Sequence, residues 1–216
     1  MKIGIPGCSV ISGESTQNNK LDKSCFLKEP VIPEYKELFK EPLTRYGRFD
    51  KYTKIGCSAV ALALKDAELN STDKKRPIGL IISSVYESYS TDIEYYKTTI
   101  ESEGAFTSPN LFSYTLPGIV LGECSAYFKL TGPTLCIGEN QEKGIGHTAL
   151  QAAFLMLESG EAETIITGWL DYPPDIDNVS ALKGAVFCVL SVNNKLISSS
   201  DKIIRSEKVN SFFDIF

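Results

Sequence analysis

Apolar positions along this chain recur with two spacings. Over residues 49–69, Tyr52, Ile55, Ala59, Leu62, Ala63 and Ala67 follow one another mostly at steps of three and four, which predicts an amphipathic helix. Residues 89–102 and 146–158 carry the same character, and 115–128 reads as helix with Pro117 in its first turn. Between them lie apolar runs of strand length at 77–85 (PIGLIISSV), 134–137, 163–170 and 184–192 (GAVFCVLSV); the continuity of 77–85 predicts a strand buried on both faces, and 184–192 reads as one more buried strand. A β-branched run punctuated by glycine at 2–12 supplies a first strand, and the polar stretch 13–23 an exposed loop. Three prolines between residues 26 and 43 predict an irregular or partly helical excursion. Strands and helices alternating at these lengths predict an α/β fold in which a mainly parallel mixed sheet carries helices on both faces. Residues 1–216 read as one domain, without internal repeat.

Composition and charge narrow the range of functions. The 216 residues are 43% apolar, enough for a sizeable core. A formal charge of −5 with no long Lys/Arg run leaves no electrostatic footprint for nucleic acid or an anionic membrane, although a local basic patch would still suit a small acidic carrier. No apolar run approaches bilayer length, and MKIGIPG is too short for a signal segment, so a cytoplasmic protein is expected. The cysteines at 8, 25, 57, 124, 136 and 188 form no CxxC pair and read as reduced, mostly buried thiols. With His147 the single histidine, neither a metal nor a cofactor is predicted.

Four motifs, in order, resemble the N-terminal half of β-ketoacyl synthases, the condensing enzymes of the thiolase superfamily. The first is RYGRFDKYTKIGCSAVALALKDAEL at 45–69, a basic and aromatic loop running into an alanine-rich helix ahead of a buried strand. The others are SPNLFSYTLPGIVLG at 108–122, the LTGP turn at 130–133, and LESGEAE at 157–163 leading into the strand ending at Gly168. The resemblance implies a thiolase-like half-fold. It places a nucleophilic cysteine in the turn after LTGP, at a helix N-terminus whose dipole favours thiolate. Residues 138–146 contain no cysteine. Counting forward from Pro133 puts Gln141 at that position, whereas counting back from Gly160 puts Lys143 there. Neither can form a thioester, and the turn reads as two residues longer than usual. The family's two catalytic histidines belong to a C-terminal half that this chain is expected to lack, and His147 matches neither.

The resemblance therefore implies a chain-length-factor type of subunit, a non-enzyme of polyketide or fatty-acid-like biosynthesis. Such a subunit forms a heterodimer with an active ketosynthase, with acyl carrier protein as a further partner, and shapes the acyl tunnel by side-chain volume. Matching positions put Leu111, Phe112 and Tyr114 on the segment that reaches the partner's tunnel and Tyr86 in the chain's own tunnel; ordinary core aromatics are the alternative reading of these rings. Thr134, Leu135, Cys136 and Ile137 match the strand that pairs across the family's dimer interface, where an unpaired apolar edge invites association. Three other functions stay open: a malonyl-carrier decarboxylase with glutamine in place of cysteine, an acyl- or carrier-binding module, and a degenerate scaffold.

Overall fold

The computed structural model describes residues 1–13, 21–174, 181–200 and 202–216, so most of the polar 13–23 stretch lies outside the described residues. Its strands are β1 (Lys2–Ile11), β2 (Ile78–Ser84), β3 (Thr134–Gly138), β4 (Thr164–Asp171), β5 (Gly184–Ser191) and β6 (Lys202–Arg205). The helices are α1 (Tyr35–Leu38), α2 (Lys51–Asp66), α3 (Tyr89–Ile100), α4 (Pro109–Phe112), α5 (Ile119–Phe128), α6 (His147–Ser159) and α7 (Asn194–Ser198). The excursion after β1 holds only α1 and a 3-10 turn at Lys23–Leu27, as its prolines require. Helix α5 starts at Ile119, not 115, so Pro117 lies before the helix and not in its first turn.

The six strands form one mixed sheet in the order β3-β2-β4-β5-β1-β6. The balance differs from the mainly parallel expectation: β3, β2 and β4 run parallel, while β5, β1 and β6 each meet their neighbours antiparallel. Helical crossovers, α3 to α5 after β2 and α6 after β3, produce the parallel half, whereas β4 returns to β5 with no helix among the described residues. Pro6 cannot donate to a ladder, and the β1–β5 register shifts across Gly4 to Gly7 around it.

Period-two alternation divides the core into two layers. Leu80, Ile82, Ile166, Leu170, Phe187 and Val189 face α2 and α5, meeting Tyr52, Ile55, Val60, Leu64, Val120 and Phe128. Ile81, Ile165, Trp169, Val186 and Cys188 face α6 and the C-terminal segment, meeting Leu150, Phe154, Leu157, Phe212 and Ile215. Each such Leu, Ile or Phe contributes roughly 1.5–3 kcal/mol relative to exposure. Helix α2 is capped by Asp50, whose carboxylate accepts from Thr53 N–H at 2.9 Å, and its buried Gly56 lets Leu170 and Val120 approach where a Cβ would collide. The parallel half thus holds β2, β3 and β4 rigidly side by side, with the turns at their C-terminal ends opening on one rim.

Candidate functional site

The β3–α6 connection leaves the sheet at Gly138 and forms a 3-10 turn at Gln141–Lys143. Asn140 starts that turn by accepting from Glu142 N–H at 3.0 Å. The backbone then passes through Gly144 at φ +104° and Gly146 at φ +72°, conformations that glycine adopts without the Cβ clash. Gly146 is held twice over, because the Phe212 ring packs into the space its missing side chain leaves. Phe212 also donates its N–H to the Ile145 carbonyl at 3.1 Å. The His147 ring Nδ1 pairs with the Asn210 carbonyl oxygen at 2.7 Å, so the C-terminal segment is strapped over the turn.

Two carboxylates organise this rim. Glu139 accepts from Ser83 Oγ at 2.6 Å, from Thr148 Oγ1 at 2.7 Å and from Thr148 N–H at 3.2 Å. The last bond satisfies a free donor in the first turn of α6. Asp171, at the end of β4, is fully buried and accepts from Ser84 Oγ at 2.7 Å, from the N–H groups of Val85 and Tyr86 at 3.0 and 2.8 Å, and from Trp169 Nε1 at 2.8 Å. Burial outweighs these four donors and pushes the Asp171 carboxyl up to about 6.

Between them lies a cavity of about 170 Å³ bordered by Tyr86, Glu139, Gly144, Ile145, Trp169 and Asp171. That is smaller than the few hundred Å³ of a site for a drug-sized ligand. Its described lining contains no cysteine, serine or histidine; the polar side chains on it are those of Lys23, Tyr86, Glu139, Trp169 and Asp171. The nearest thiol along the chain, Cys136, is half-buried within β3, where burial and then the nearby Glu87 raise it to about 11. No group of His, Cys, Asp and Glu suited to a metal occurs among the described residues, and none of their helices is long and apolar enough to cross a membrane.

The structure disperses the residues singled out from sequence. Tyr86 borders the cavity, held by its N–H to Asp171. Leu111 and Tyr114 instead line a second cavity of about 250 Å³ with Arg48, Tyr52 and Tyr172, and Tyr114 packs on Phe49. Phe112 is 59% exposed, its ring 5.4 Å from that of Tyr95 on α3. Thr134 to Ile137 do form an edge strand, with Leu135 exposed on it. Lys143 is exposed and does not border the cavity, and Gln141 opens the 3-10 turn. Glu139, Asp171 and Trp169 went unnoticed in the sequence. The available signal was the lone tryptophan two residues before an aspartate that closes an otherwise apolar strand.

A family model for the N-terminal domain of β-ketoacyl synthases matches residues 14–189. The chain belongs to that family. Among curated relatives of this β-ketoacyl synthase domain, an 84-residue stretch is 34% identical to the non-reducing polyketide synthase nscA of Arthroderma otae, and equally to that of Neosartorya fischeri. The match takes in 37% of this chain and only 5% of either synthase. Among solved structures, the ishigamide ketosynthase/chain length factor superposes with a TM-score of 0.64 at 14% identity, covering 89% of this chain and 63% of that one. The ketosynthase ApeO in complex with its chain length factor ApeC from Xenorhabdus doucetiae gives 0.62 at 13% identity, covering 88% and 79%. AntDE:AntF, a type II PKS acyl-carrier protein in complex with its ketosynthase bound to the hexaketide, gives 0.63 at 16% identity, covering 91% and 65%. At these identities the likeness is one of fold, and it is the thiolase-like ketosynthase fold.

Proposed function

We propose that this β-ketoacyl synthase domain, taken as one unit over residues 1–216, is a non-catalytic subunit that pairs with an active ketosynthase and shapes its acyl tunnel. The observation that carries the reading is the β3–α6 turn. A condensing nucleophile requires a thiolate at the start of that helix, and this chain places the carboxylate of Glu139 there and no thiol. A fixed negative charge at that point opposes both a thiolate and the oxyanion that acyl transfer would generate.

Two surface features support a partner. Strand β3 is an edge of the sheet among the described residues, and Leu135 on it is 36% exposed. Close by in sequence, Tyr96, Ile100, Phe106, Phe112 and Leu116 around α3 and α4 are all exposed, and α3 and α4 pack together. An active ketosynthase is favoured as the occupant because similar folds occur in complexes of a ketosynthase with a chain length factor or with a carrier protein. In this reading Phe112 and Leu111 set tunnel length by volume, and Tyr86 sits in the chain's own reduced cavity.

Co-expression with a ketosynthase encoded beside it tests the assignment. A stable heterodimer is expected, with product length changing when Phe112 is enlarged or reduced. A chain that stays monomeric beside its partner overturns the reading. Release of carbon dioxide from malonyl-carrier by the isolated chain would instead identify a decarboxylase acting through the Gln141 turn.

A further inference from the structure

All six cysteines are free thiols, and two pairs of them lie close in space. Cys8 of β1 and Cys188 of β5 stand directly opposite each other in the antiparallel register, with their Sγ atoms 2.8 Å apart. Directly opposed residues share a face of the sheet, and their Cα separation of roughly 4.5–5.5 Å falls inside the window that a disulfide spans without moving the backbone. Cys57 of α2 and Cys124 of α5 approach to 3.5 Å, but both are sealed in the core. The β1–β5 pair differs in access. Cys188 is buried, whereas Cys8 is partly exposed and lies where β1 has run past β6, which pairs only with Lys2 to Ile5, so no strand covers that side of Cys8 among the described residues. The Cys8 N–H donates to Asp66 Oδ2 at 2.8 Å, which fixes this stretch of β1 against the end of α2.

We infer that Cys8 and Cys188 form a thiol–disulfide exchange site that takes small soluble disulfides, with Cys8 as the entry thiol and Cys188 as the resolving thiol. In the first step the Cys8 thiolate attacks one sulfur of the incoming disulfide. The incoming S–S bond breaks, a mixed disulfide forms on Cys8, and one thiolate leaves. In the second step Cys188 gives up its proton to the thiolate that left first and attacks Cys8 Sγ, expelling the second half of the reagent as a thiolate that takes up the proton Cys8 had released to solvent. Two protein thiols are oxidised and one small disulfide is reduced to two thiols. Burial, and then the neighbouring Cys8, hold the Cys188 thiol well above its ordinary range. Cys188 therefore resists deprotonation, which leaves the first attack to Cys8. The product is a cross-link spanning 180 positions of the chain that staples β1 to β5 in the middle of the antiparallel half.

The test uses the full chain, reduced, freed of reductant and incubated folded with oxidised glutathione. The expected result is a loss of two hydrogen masses, two fewer titratable thiols than the six of the sequence, and one mapped cross-link, Cys8 to Cys188. Cys57 and Cys124 should remain reduced, which separates access from proximity. Cys8→Ser should abolish the cross-link, and Cys188→Ala should halt at a glutathione adduct on Cys8. If Cys188→Ala fails to fold, the wild-type map and Cys8→Ser decide. Absence of the cross-link, a different pair, or a persistent adduct on Cys8 of the wild-type chain overturns the inference.

Discussion

Glu139 and Thr148 are bonded twice, the carboxylate accepting from the Thr148 hydroxyl at 2.7 Å and from its backbone N–H at 3.2 Å. The chain's own acid thereby closes the end of α6 from which a condensing enzyme would present its nucleophile. Glu139→Ala removes these acceptors and strands the Ser83 hydroxyl, with an expected cost of roughly 1–3 kcal/mol in urea unfolding. Glu139→Gln, which keeps one acceptor oxygen, should cost less. Equal midpoints for wild type and Glu139→Ala would deny the carboxylate this role.

Asp171 and Trp169 provide a pH readout. In the folded chain the Asp171 carboxyl titrates at about 6, whereas an unfolded aspartate titrates near ~3.9. The folded state therefore holds the proton more tightly. The stability contributed by that protonation is full below about pH 4 and is lost as pH rises through 6, an effect of about 2–3 kcal/mol. Asp171→Asn removes this dependence, so the wild type should gain relative to the variant on acidification from neutral pH to about 4. Trp169 is the sole tryptophan and donates directly to Asp171, so intrinsic fluorescence should show a transition near pH 6 that Asp171→Asn abolishes.

The sheet and its main helices were readable because each obeys one periodicity. The apolar runs 77–85, 163–170 and 184–192 became β2, β4 and β5, and the helical spacing at 49–69 became α2. The antiparallel half was hidden because its cause is topological: a buried strand has the same apolar signature whichever way its neighbour runs. The site was legible only as a location. The segment 138–146 could be identified as the special turn, but Glu139 and Asp171 act through partners 56 and 87 positions away, Ser83 and Ser84. No local pattern encodes such pairs. Likewise Phe112 and Tyr114 look alike as aromatics, and only packing separates an exposed ring from a buried one.

Gly146→Ala should be severely destabilising. A Cβ there would lie 2.2 Å from the Phe212 ring, and φ +72° is itself unfavourable for alanine. A loss exceeding about 2 kcal/mol in thermal or urea unfolding is expected. Gly118→Ala, where no atom lies within 4 Å of the added methyl, serves as the control and should be near neutral.

Leu135→Lys separates association from folding. The side chain stands on the edge strand and is partly exposed, so a charge is tolerated in the free chain but would be desolvated in a paired interface. Circular dichroism should be unchanged, while affinity for the ketosynthase falls at least about tenfold, or roughly 1.4 kcal/mol. Undiminished heterodimer formation would move the interface away from β3.

The strap formed by Asn210 and Phe212 across Ile145, Gly146 and His147 also dictates an order of assembly. These contacts join residues more than sixty positions apart, 63 for His147 and Asn210, so the turn cannot acquire its final shape while the ribosome still holds residues 210–212. A chain halted after Arg205 would contain all six described strands yet leave Gly146 without the ring that fills its place. The turn beside the β3 edge thus takes its final shape only once residues 210–212 have been made, and a shorter nascent chain cannot present it.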